Sequence, residues 1–298
     1  MSVQAAFARL VLRWMNKGSL GPTGSIEESR QRMAALQRWV PMPPRGTQRS
    51  WHDIGGIRAI RVARPESSDR RHILYLHGGA YVAGAPALYK DFIWRIASAA
   101  RAQVICPVYR LAPEHPFPAA LDDAVAAYRW LIADGADPQR TVLMGDSAGG
   151  GLVLATLMRL RDEGAPLPAA AVALSPWTDL ALTGASIARN AGSDAIVVAQ
   201  EMPMLADHYL AGADPRTPYA SPLYGDPSGL PPVLIQVSNL ETLLDDSVRM
   251  AERLRAAGRT VELEIWPRVP HVWQTWARIM PEARQAIVRI GTFVQERC

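Results

Sequence analysis

Cysteine is nearly absent from this chain, with two in 298 residues, and lysine is as scarce, confined to Lys17 and Lys90. Cys106 lies in an apolar run and Cys298 is the last residue, so neither a disulfide framework nor a cysteine-rich zinc site is available. The arginines are scattered singly, and a formal charge of +4 spread that way offers no clustered basic face for nucleic acid. Long apolar runs are missing too: none approaches the roughly 18 residues needed to cross a bilayer. The amphipathic first segment carries Arg9 and Arg13 where a secretory signal needs an unbroken apolar core, so a cytoplasmic location is expected. No residue pattern implies a metal or a cofactor, and there is no internal repeat. What remains, 49% hydrophobic and 20% charged, is the composition of one large α/β core.

Residues 1 to 45 have helical periodicity. Phe7, Leu10, Val11 and Trp14 fall on one face, Gly18, Gly21 and Pro22 interrupt it, and Ser25 with Glu28 forms a capping box ahead of Met33, Leu36 and Val40. Two short strands joined at Gly55-Gly56 follow, read as an antiparallel edge. Apolar runs at 73–76, 104–108, 141–144, 170–174, 233–237 and 261–265 then alternate with helical stretches near 88–100, 118–133, 149–163, 245–257 and 281–296. That alternation predicts a mostly parallel sheet covered by helices on both faces. Between Thr178 and Pro232 it stops, and an insertion of that length over the carboxyl edge of a sheet usually has a function.

Gly145-Asp146-Ser147-Ala148-Gly149 sits at one of these strand-to-helix junctions. A strand turning sharply into a helix holds its middle residue in a strained backbone, and glycines two positions either side remove the collisions. The turn lifts a serine hydroxyl off the sheet edge, with the helix N-terminus behind it to stabilise a developing oxyanion.

Such a hydroxyl needs a base and the base needs a carboxylate, both at the ends of later strands. Of six histidines, His52 and His72 precede strands, His115 sits among prolines, and His208 lies in the insertion. His271 follows the last strand and is the expected base. After 233–237 come Glu241, closest to the sheet edge, and Asp245 and Asp246, expected in a first helical turn where carboxylates commonly meet the dipole. Glu241 is the expected acid, with Asp245 its competitor. The loop His77-Gly78-Gly79-Ala80 follows the 73–76 strand, and Gly78 and Gly79 with Ala148 are the expected oxyanion donors, His77 being a brace.

These motifs, together with Tyr109-Arg110-Leu111-Ala112-Pro113-Glu114-His115-Pro116-Phe117-Pro118-Ala119, Ser175-Pro176-Trp177 and Leu230-Pro231-Pro232, give a chain that resembles the bacterial hormone-sensitive-lipase-like esterases, or family IV carboxylesterases, of the α/β-hydrolase fold. The order Ser147, Glu241, His271 is that of the α/β-hydrolase arrangement. In that family the acid stands about thirty residues before the histidine, which favours Glu241. A third glycine usually occupies the place of Ala80.

The resemblance implies a cap made of residues 1 to 45 and about 180 to 220, over a catalytic domain spanning 46 to 298. It implies hydrolysis of short- to medium-chain acyl esters through an acyl-enzyme. It also implies a half-apolar pocket to which Tyr81, Trp177, His208 and Tyr209 could contribute, with the Tyr109 to Phe117 stretch bracing the serine loop. The alternatives are the same machinery acting on amides, lactones or lipids, or a ligand-binding receptor without turnover, whose plant examples lack the histidine. Because the base must be neutral, activity should decline as pH falls through roughly 6 to 7. The last strand, an open edge, could pair with a second copy.

Overall fold

The computed structural model describes residues 2–16 and 25–298, with the backbone alone at 13–16. Gly18, Gly21 and Pro22, and the side chains of Arg13 and Trp14, lie outside the described residues.

One eight-stranded sheet forms the centre. Its strands are β1 (Gln48–Asp53), β2 (Arg58–Ala63), β3 (His72–Leu76), β4 (Gln103–Pro107), β5 (Thr141–Asp146), β6 (Ala170–Leu174), β7 (Val233–Ser238) and β8 (Val261–Trp266), in the spatial order β1-β2-β4-β3-β5-β6-β7-β8. β1 and β2 pair antiparallel, as does β2 with β4, and every other pair is parallel. His52 therefore lies within β1 and His72 opens β3, where the sequence had placed both ahead of strands.

Burial on both faces explains the continuous apolar runs of the central strands. Alternate side chains point to opposite layers: Leu74, Leu76 and Leu143 to one, Ile73, Tyr75, Val142 and Met144 to the other. The first layer is closed by α4 (Ala119–Ala133), α5 (Ala148–Asp162) and α8 (Leu244–Ala256), the second by α3 (Lys90–Ala100) and α9 (Pro281–Arg297). The chain runs from β3 to β4 on one side and returns to β5 on the other, so the crevice at their carboxyl ends is the switch point where open α/β sheets bind ligands.

Two helices precede the sheet, α1 (Val3–Asn16) and α2 (Ile26–Leu36). α1 buries Ala5, Ala8 and Leu12, while Phe7 and Leu10 are 61% and 67% exposed. The buried face is thus the small-residue one, not the face of Phe7, Leu10 and Val11 that hydrophobicity pointed to. Ser2 fixes the start of α1 by donating from its amide and hydroxyl to Glu282 at the head of α9, at 2.6 and 2.8 Å. α2 has the predicted capping box, with the Glu28 amide donating to Ser25 Oγ at 3.1 Å and the Ser25 amide to Glu28 at 3.3 Å.

No residue of α2 is fully buried, and one side chain does much of its anchoring. Arg30 donates to the carbonyls of Val82 and Ala112 at 2.7 and 2.8 Å and forms a two-pronged pair with Glu114 at 2.6 and 2.7 Å. The 180–220 segment contributes α6 (Ala185–Asn190) and α7 (Met202–Leu210). Among the described residues no helix is long and apolar enough to cross a membrane.

Candidate active site

Ser147 joins β5 to α5 with φ 53° and ψ −124°, a backbone conformation that is unfavourable for any residue with a side chain. Three backbone hydrogen bonds hold it there: its amide donates to the Leu174 carbonyl at 2.8 Å, and its carbonyl accepts from Gly151 at 3.1 Å and Trp177 at 2.9 Å. The flanking glycines are compulsory. A Cβ on Gly145 would lie 2.4 Å from the Gly149 carbonyl oxygen, and one on Gly149 would lie 2.1 Å from that of Leu76. Gly149→Ala is accordingly expected to cost about 3 kcal/mol, because the obstacle is backbone at the end of β3 and cannot turn aside. A urea melt checks this: the midpoint should fall with the slope unchanged.

His271 follows β8 and is 5% exposed. Its Nδ1 lies 2.5 Å from Glu241 Oε2, and Glu241, 1% exposed, is held by its other oxygen, which accepts from the Ser238 amide at 2.7 Å and from Ser175 Oγ at 2.9 Å. Burial disfavours the charged imidazole, but the charge and hydrogen bond of Glu241 outweigh it and leave the His271 pKa raised. With Nδ1 on the carboxylate, the other ring nitrogen is left for the cavity that His271 and Ser147 both line.

The competitor Asp245 and its neighbour Asp246 are engaged elsewhere. Asp245 accepts from the Ser186 amide and Arg189, both at 2.9 Å, and Asp246 from the amides of Thr178 and Asp179 at 2.8 and 2.9 Å. Burial pushes the Asp246 carboxyl up to about 7.

On the β3 side, the amide of Gly78 is not available to a ligand. It donates to Asp146 Oδ1 at 2.9 Å and to the Tyr89 hydroxyl oxygen at 3.1 Å, and Asp146 also accepts from the Tyr75 and Tyr89 hydroxyls at 2.5 and 2.9 Å. Gly78 must be glycine for this, since a Cβ would lie 2.3 Å from Asp146 Oδ2. The expectation that Gly78 donates to an oxyanion is corrected on that ground. The amides of Gly79, Ala80 and Ala148 have no acceptor among the described residues. His77 is a brace: fully buried, it stacks on Tyr109 with ring centroids 4.3 Å apart, and burial lowers its pKa to about 4. Tyr109 donates to the His77 carbonyl at 2.6 Å, so the Tyr109 stretch supports this loop.

The cavity has a volume of about 420 Å³, and Met33, Val82, Leu88, Leu205, Leu243 and Val272 give it an apolar wall. Of the four aromatic or histidine side chains that could have contributed to it, Trp177 alone lines it. Tyr81 and Tyr209 stack on each other in the core, ring centroids 3.7 Å apart, and His208 is not part of the lining. Sequence reasoning missed Ser175 as a donor to Glu241, and Asp146, Tyr75 and Tyr89 as the lock on Gly78. Asn190, which donates to the Glu241 carbonyl at 2.7 Å, was missed as well.

The chain and its fold have known relatives. A family model described as the alpha/beta hydrolase fold matches residues 73–275. An acetyl-hydrolase of Streptomyces hygroscopicus is 47% identical over 78% of each chain, and an ethyl acetate hydrolase of Pseudomonas putida is 35% identical over 80% of this chain and 78% of its own. The crystal structure of an esterase from the bacterial hormone-sensitive lipase family superposes with a TM-score of 0.95 at 43% identity, covering 100% of this chain and 99% of that one. The chain belongs to the hormone-sensitive-lipase-like esterases of the α/β-hydrolase fold, a family of carboxylic ester hydrolases.

Proposed function

We propose that Ser147 is the nucleophile of a short-chain carboxylesterase, with His271 as its base and Glu241 as the carboxylate that orients His271. The observation that carries this reading is the buried Glu241–His271 pair, 2.5 Å apart, behind a cavity that Ser147 and His271 share. His271 takes the hydroxyl proton as Ser147 Oγ attacks the ester carbonyl. The tetrahedral oxygen is held by the amides of Gly79, Ala80 and Ala148. The C–O bond to the alcohol then breaks, the alcohol leaves with the proton from His271, and an acyl-enzyme remains. Water repeats the attack and releases the acid. A small substrate is supported by the names of the relatives and by a cavity near the low end of the usual range of about 300–1,000 Å³.

A cap over this site is part of the proposal. It is supported by Ser29, Met33 and Leu36 of α2 and by residues between 196 and 205, all of which line the cavity. None of the described side chains of α1 lines it. The cytoplasmic location is supported by two free thiols, and pairing of two copies by the open edge of β8. Light scattering on the purified protein tests the pairing. The function itself is tested with p-nitrophenyl esters from acetate to palmitate: turnover should peak at short acyl chains, and none above a Ser147→Ala control would end the reading.

The acidic limb of the pH profile follows from the same pair. Only neutral His271 can accept the proton, and Glu241 raises its pKa, so activity should be full above that raised value and lost as pH falls through it. The midpoint of kcat/KM is therefore expected above 6.5, the ordinary histidine value, and should move down in Glu241→Gln. A limb unmoved by that substitution would contradict the pairing.

A further inference from the structure

The mechanism leaves one carboxylate of the cavity unused. Glu201 ends the short turn Ala199–Glu201 that leads into α7, on the cap wall, between apolar residues that also line the cavity, Val197, Val198, Met202 and Leu205. Its Oε1 is buried, and no donor among the described residues reaches it. The other carboxylate of the lining, Asp146, is satisfied three times over by Tyr75, Tyr89 and Gly78. A carboxylate held among apolar side chains is unfavourable in the empty protein, and a donor that enters the cavity and meets the carboxylate group recovers that cost. Burial pushes the Glu201 carboxyl upward, and the nearby charge of Arg32 draws it back.

We infer that Glu201 determines specificity. On this reading its carboxylate accepts a hydrogen bond from a hydroxyl or ammonium group carried by the part of the ester that meets the cap wall, and disfavours esters carrying a carboxylate there. The inference rests on the esterase reading above and adds to it the class of ester: one with a remote hydrogen-bond donor.

The test compares matched substrates, a hydroxyl replacing a terminal methyl. Pentyl acetate against ω-hydroxybutyl acetate probes the alcohol side, and methyl heptanoate against methyl ω-hydroxyhexanoate the acyl side, each followed by acid release. In Glu201→Leu the hydroxyl-to-alkyl ratio of kcat/KM should fall by about tenfold in at least one series, the size expected for loss of a hydrogen bond to a charged group. Glu201→Gln, which keeps the shape and removes the charge, should raise kcat/KM for monomethyl adipate relative to methyl heptanoate by about fivefold. A purely structural role would scale all substrates together and move neither ratio. If the wild-type protein hydrolyses these esters and both ratios stay within twofold in the variants, the role of Glu201 is refuted. If the wild-type protein hydrolyses none of them, the esterase reading falls first, and this inference with it.

Discussion

Ser147→Ala is expected to lower kcat/KM for p-nitrophenyl butyrate by about five to six orders of magnitude, the loss typical when the nucleophile of a serine triad is removed. The variant should fold normally, because the Ser147 backbone bonds to Leu174, Gly151 and Trp177 do not involve its hydroxyl. His271→Ala should cost about as much, and the double variant little more than either alone, since residues that act on one proton are not additive. A circular dichroism melt beside each rate measurement separates lost chemistry from lost structure. A double variant whose loss is the product of the two single losses would mean that the residues work independently.

Glu241→Gln is expected to lower turnover by about four orders of magnitude. The amide cannot stabilise an imidazolium, and it sets the wrong hydrogen-bonding pattern at Nδ1. Asp245→Asn should stay within about tenfold of wild type, because Asp245 serves Ser186 and Arg189 at the head of α8 and does not meet His271. The contrast between the two variants is the test, and a crippled Asp245→Asn beside an active Glu241→Gln would reverse the assignment. Ser175 offers a graded check on the same carboxylate. Its hydroxyl donates to Glu241 Oε1 at 2.9 Å, so Ser175→Ala removes one restraint but leaves the amide of Ser238 in place.

Much of this was legible because it depends on local sequence. The central strands are apolar on both faces and appear as continuous runs. The serine turn announces itself through glycines that no other residue could replace. The loops carrying Glu241 and His271 are identified by the strands that end before them. What was not legible depends on distant contacts. Gly78 was assigned to the oxyanion because its loop position is right, yet its amide is taken by Asp146, a carboxylate 68 residues away that Tyr75 and Tyr89 hold in place. Tyr81 and Tyr209 were only candidates for the pocket, because spacing cannot distinguish a ring that lines a cavity from one that fills the core. In α1, hydrophobicity favoured the face of Phe7 and Leu10, whereas the small side chains of Ala5 and Ala8 face the core.

The central claim is that one hydroxyl is made reactive by the buried pair behind it. Intact-mass detection of a fluorophosphonate adduct, with peptide mapping of the modified residue, tests it most directly. The account predicts a single adduct on Ser147 in the wild-type protein, none in Ser147→Ala, and labelling of His271→Ala slowed by orders of magnitude. An adduct on any other residue, or equal labelling with and without His271, would contradict it.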